Sequence, residues 1–91
     1  NINEPRLEKL NYSYSEILDW ILNKISDISG INKNEIDPDE SFDRYGVDSK
    51  NAIKLSGELE IYLGQAVPPS IAYDYPSPNK LTAFLFSCQK N

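Results

Sequence analysis

The chain is predicted to be a small all-α protein: a four-helix bundle with three long helices, a short third helix and a long loop after the first. Two observations carry this. Apolar residues recur at three- and four-residue steps in separate stretches, while no stretch sustains the period-two alternation of a strand. Gly30, Gly64, Pro68, Pro69 and Pro76 fall between those stretches, where helices have to stop.

Residues 1–12, "NINEPRLEKLNY", read as a linker or tail, with the folded domain spanning 13–90. The first helix lies in "SYSEILDWILNKISDIS". Ile17, Ile21, Ile25 and Ile28 form its stripe, Leu18 and Leu22 widen it, and Ser13 with Glu16 makes a capping-box pattern before Gly30 ends it. From Gly30 to Asp48 no period holds, but Ile31, Ile36, Phe42, Tyr45 and Val47 are spaced as anchors for an ordered loop. The second helix, "SKNAIKLSGELEIYL", places Ala52, Leu55, Leu59 and Tyr62 or Leu63 on one face with Ile53 beside it. Gly57 inside it costs about 1 kcal/mol relative to alanine, which points to close approach by another backbone. "SIAYDY" is long enough for a short third helix. Ser77 caps a last helix with Pro78 in its first position and Leu81, Phe84, Leu85 and Cys88 on one face.

At 91 residues there is chain for one core and no more. A formal charge of -5 disfavours nucleic acid and anionic lipid as partners and favours basic proteins. With no apolar run of membrane length and no signal-peptide pattern, a cytoplasmic setting is expected. A first residue other than methionine points to a piece excised from a longer protein. A single cysteine allows no internal disulfide, and the absence of histidine removes the commonest general base and metal ligand, so self-contained catalysis is not expected. The acids Glu35, Asp37, Asp39, Glu40 and Asp43 lack the order of a calcium loop and read as a solvated loop. Cys88 is expected to be a buried thiol, and Trp20 and the tyrosines to be core or rim residues.

"DRYGVDSKNAIKL", residues 43–55, sets Asp48 and Ser49 where the second helix begins. Both residue types cap helices, which is the plain reading. A helix start also offers unpaired N–H groups and the positive end of the macrodipole, both suited to a phosphate ester on its first residue.

From residue 14 to about 88 the sequence closely resembles an acyl carrier protein domain of the polyketide synthase type. Gly46, Asp48 and Ser49 match the attachment motif, and Ala52, Ile53, Leu55, Leu59 and Glu60 match the positions behind it. Gly64, "PPS" at 68–70 and "YDYPSPNKL" at 73–81 match the later turns and helices. The resemblance implies that a phosphopantetheinyl transferase esterifies Ser49 with 4'-phosphopantetheine from coenzyme A, and that acyl groups ride on the arm's thiol as thioesters. It implies as partners an acyl-loading enzyme, either a fatty acyl-AMP ligase or an acyltransferase, and a ketosynthase or other synthase domains. The isolated domain is expected to be monomeric. Asp43, Val47, Lys50, Lys54 and Glu58 are the docking residues it implies around the serine.

Lys50 departs from the family, where the residue after the serine is apolar. Lys50 and Lys54 read either as a solvated face, with Lys54 and Glu58 as an i, i+4 pair, or as a basic spot facing partner enzymes. Leu55 stands where carriers that undergo β-branching have tryptophan, and Val47 where peptidyl carriers more typically have a second glycine. "LSGELEIYLG" with "AYDYPSP" is most similar to carriers beside fatty acyl-AMP ligases. The alternatives are a helical interaction module without a prosthetic group and a peptidyl carrier of a nonribosomal system.

Overall fold

The computed structural model describes residues 12–89. The tail reading of residues 1–12 falls outside them except for Tyr12, which is tied to the domain. Its ring stacks on Tyr62 at 4.5 Å, and its backbone exchanges hydrogen bonds with the Gln89 side chain.

Helix α1 spans Tyr14–Ser29. Ser13 Oγ accepts from the Glu16 N–H at 3.1 Å and Glu16 Oε1 accepts from the Ser13 N–H at 2.8 Å, so the capping box forms as expected. Gly30, at φ 77°, turns left-handed and donates its N–H to the Ser26 carbonyl. Ile17, Ile21 and Ile25 are fully buried, while Ile28 is half-buried.

The long loop contains two short 3-10 turns, Lys33–Glu35 and Phe42–Tyr45, that periodicity did not reveal. A single turn is too short to show a period, so only its anchors were legible. Ile36, Phe42 and Val47 are buried, with Ile31 and Tyr45 packed against them. The loop is stitched to the far end of the chain: the Phe42 N–H donates to the Pro76 carbonyl at 2.8 Å and the Asn79 N–H to the Pro38 carbonyl at 2.9 Å.

Helix α2 spans Ser49–Leu63, α3 Ile71–Asp74 and α4 Pro78–Cys88. Ser77 Oγ caps α4 by accepting from the Lys80 N–H. α1 packs along α4 and α2 against α3, around a core led by Ile21, Leu55, Leu59, Leu81 and Leu85. No strand occurs among the described residues.

Three expectations need correction. A Cβ built on Gly57 meets nothing within 4 Å, so among the described residues no backbone from outside its own helix approaches it. Glu58 pairs with Lys24 of α1 at 3.1 Å instead of with Lys54, because α1 lies alongside and brings in a cation that a view of one helix omits. Cys88 is exposed: the last turn of α4, with Phe86 and Ser87, runs past the edge of the core.

Candidate functional site

Ser49 is exposed at the first position of α2, between the buried Val47 and Ala52. Gly46 makes the approach. At φ 78°, which side chains rarely adopt, it ends the second 3-10 turn with its N–H on the Asp43 carbonyl. The Val47 N–H then returns to the Phe42 carbonyl, and the Asp48 N–H donates to the Gly46 carbonyl at 3.0 Å. The turn therefore holds the backbone on both sides of a serine whose side chain faces solvent.

Asp48 is the N-cap. Its Oδ1 accepts from the Asn51 N–H at 2.9 Å, and its carbonyl accepts from the Ala52 N–H at 2.7 Å. Asn51 adds a second strap, its Nδ2 donating to the Gly46 carbonyl at 3.4 Å. The N–H groups of Ser49 and Lys50 find no acceptor among the described residues, and they lie at the positive end of the helix. An exposed hydroxyl, two unpaired amides and the Lys50 ammonium fit a phosphodiester on Ser49. The Ser49 hydroxyl makes no hydrogen bond among the described residues, and Asp48 Oδ1 is engaged in the cap.

Beside this turn lies a cleft of about 110 Å³ walled by Phe42, Asp43, Val47, Ala52, Ala72 and Tyr73. Asp43, Gly46, Val47, Asp48, Ser49 and Lys50 thus share one neighbourhood, with Lys54 one turn along α2. Glu58 is removed from it, roughly 13 Å along the axis and held toward α1 by Lys24. Asn51, Ala72 and Tyr73 belong to the site although sequence reasoning did not single them out. Asn51 was legible, as a short amide three residues beyond an N-cap; the cleft walls were not, because they meet only when α3 folds back.

Residues 19–85 match the family model for the phosphopantetheine attachment site. The chain belongs to this family. It is similar to a phenolphthiocerol/phthiocerol polyketide synthase component of Mycobacterium tuberculosis, 35% identical over 71 residues that make up 78% of this chain. It spans about 4% of that relative's length. Among solved structures, a free-standing peptidyl carrier protein from Acinetobacter baumannii is similar at 31% identity, with a TM-score of 0.77, over 82% of this chain and 94% of that one. Asl1650, an acyl carrier protein from Anabaena sp. PCC 7120 with a variant phosphopantetheinylation-site sequence, is similar at 31% identity and a TM-score of 0.76, over 82% of this chain and 85% of that one.

The all-helical carrier fold expected from sequence is therefore the fold found. The family carries a covalently attached 4'-phosphopantetheine and is itself non-catalytic, its members being acted on by synthase domains and modifying enzymes. No described helix is long and apolar enough to cross a membrane.

Proposed function

We propose that this domain carries acyl intermediates in a polyketide, or hybrid polyketide and peptide, assembly line, with 4'-phosphopantetheine attached at Ser49 Oγ. The observation that carries the site assignment is the pairing of an exposed first-turn serine with a rigidly capped backbone: a modifying enzyme reaches the hydroxyl without unfolding the turn. Gly46 sets the entry angle, Asp48 and Asn51 hold the first turn, and the Ser49 and Lys50 amides face the ester's negative charge. When attached, the arm supplies a terminal thiol that takes acyl groups as thioesters.

A phosphopantetheinyl transferase brings coenzyme A and the base that removes the Ser49 proton, and a fatty acyl-AMP ligase or an acyltransferase loads the thiol. The similarity to a polyketide synthase component supports the assembly-line setting, and a cytoplasmic location follows from a coenzyme A-dependent modification. Incubation with coenzyme A and a promiscuous transferase should raise the intact mass by one arm, and Ser49→Ala should abolish the gain. No gain for the native protein, or a gain that survives the substitution, would falsify the assignment.

A further inference from the structure

One residue of α4 ties three parts of the chain together. Asn79 donates its N–H to the Pro38 carbonyl at 2.9 Å and its Nδ2 to Asp39 Oδ1 at 2.6 Å, while its Oδ1 accepts from the Tyr14 hydroxyl at 2.9 Å. Its carbonyl also accepts from that hydroxyl, at 3.2 Å. Tyr14 is fixed in turn, its ring edge-on to Phe86 at 6.0 Å. α1, the long loop and α4 thus meet on one half-buried amide. An amide suits the junction because it is donor and acceptor at once, giving to a carboxylate on one side and taking from a phenol on the other.

The segment that Asn79 grips is itself a closed turn. Across Asp37, Pro38, Asp39 and Glu40 the Glu40 N–H donates to the Asp37 carbonyl at 3.0 Å, proline holds the second position, and Asp37 Oδ1 accepts from the Asp39 N–H at 2.9 Å. Two contacts join this turn to the next one. The Asp37 N–H donates to the Tyr45 hydroxyl at 2.9 Å, and Glu40 pairs with Arg44 at 3.4 Å, an exposed pair that adds little. Tyr45 is the last residue before Gly46, whose left-handed backbone leads to the Asp48 cap. A path of hydrogen bonds therefore runs from α4 through residues 37–40 to the backbone that presents Ser49.

We propose that Asn79 is a positioning residue for the modification of Ser49: by pinning residues 37–40 to α4 it sets where the Phe42–Tyr45 turn, and so the serine, is held. The inference rests on the carrier reading for its function, while the coupling itself concerns only the fold. Asn79 lines no part of the cleft beside Ser49 and acts through Asp39, Asp37 and Tyr45. The Phe42 N–H keeps its own bond to the Pro76 carbonyl, so loss of Asn79 frees one edge of the loop and leaves the other attached. The serine is then presented correctly in only a fraction of molecules. That fraction weakens the apparent affinity of a modifying enzyme and leaves its turnover unchanged.

Asn79→Asp tests this without removing bulk. The new carboxylate sits in the first turn of α4, where the helix dipole favours it, but it meets the Asp39 carboxylate where a hydrogen bond had been. Timed at low salt with coenzyme A and a promiscuous transferase, the variant should show a KM for the carrier about tenfold higher with kcat within twofold. The Gly46, Val47 and Asp48 amides should exchange with deuterium about tenfold faster, while those of Ile21 and Ile25 in α1 hold. Asp39→Asn together with Asn79→Asp restores the amide and carboxylate in reversed order and should bring both readings within twofold of native. Asn79→Ala, which only deletes the contacts, should raise KM about fourfold. A KM within twofold of native for both single variants, loop exchange that is unchanged or matched by an equal rise at Ile21 and Ile25, or a defect that the paired substitution leaves unrepaired would each overturn the proposal. Native protein that gains no mass would remove the carrier reading and with it the part of Asn79 in modification, and the exchange result would still show whether Asn79 holds the loop.

Discussion

α1 and α2 are nearly equal in length, 16 and 15 residues, and both end on a left-handed glycine, yet they treat their outer faces differently. On α1 the exposed positions are Ser15, Glu16, Asp19, Asn23 and Asp27, all polar, while three isoleucines face the core. α2 buries its own apolar row and still places Ile53 and Ile61 toward solvent around a glycine. A helix with no fully exposed apolar residue is accounted for by folding alone. One that exposes isoleucine opposite its core carries residues that folding does not need, and those residues lie on the helix that begins with Ser49.

The same substitution on the two helices is the sharpest way to break this comparison. Ile21→Ala on α1 removes a fully buried side chain and should cost about 3 kcal/mol in urea denaturation. Ile61→Ala on α2 should change stability by no more than about 0.5 kcal/mol. Equal losses would mean that Ile61 is packed in solution. The caps should behave alike: Asp48→Ala and Ser13→Ala each remove a side-chain acceptor from a first-turn N–H and should each cost about 1 kcal/mol. Asp48→Ala should in addition slow modification of Ser49, which Ser13→Ala should leave alone.

Gly57→Ala should stabilise the isolated domain, by up to about 1 kcal/mol, because the position is helical and has room for the methyl group. A loss would show that something covers α2 even in the free protein. The smallest effect concerns the seam between the helices, where Tyr62 of α2 stacks on Trp20 of α1 at 4.8 Å. Burial, then the neighbouring Tyr12, Glu16 and Asp19, raise the Tyr62 phenol above its ordinary value of 10.0. The neutral phenol is therefore favoured in the fold. That contribution is fully present below the unfolded value and is lost as pH rises through the raised one, since the unfolded chain gives up its proton first. Thermal melts across that alkaline range should fall more steeply for the native protein than for Tyr62→Phe.

How much was legible follows the range of each interaction. The helices, their caps and their glycine stops depend on residues within four positions of one another, so Ser13 with Glu16, Gly30, Asp48, Gly64 and Ser77 with Pro78 could be placed from spacing alone. The position of Ser49 at the helix start was legible for the same reason, while its reading as an attachment site came from the resemblance to carrier domains. What failed was pairwise and distant. Glu58 chose Lys24 over Lys54, Tyr12 joined the domain through Tyr62 and Gln89, and Cys88 fell beyond the edge of the core.

The amino-acid sequence by itself determined four helices, the ordered loop between the first two and a serine at the start of the second, because periodicity and capping chemistry act over a turn or two of chain. Tertiary structure alone decided what surrounds that serine. Pro76 and Asn79 had to fold back onto the loop, and Ala72 and Tyr73 onto Ala52, before the cleft existed. It also decided the meaning of Gly57: in sequence it marks a close approach, and only the packed fold shows that no part of the described chain makes that approach.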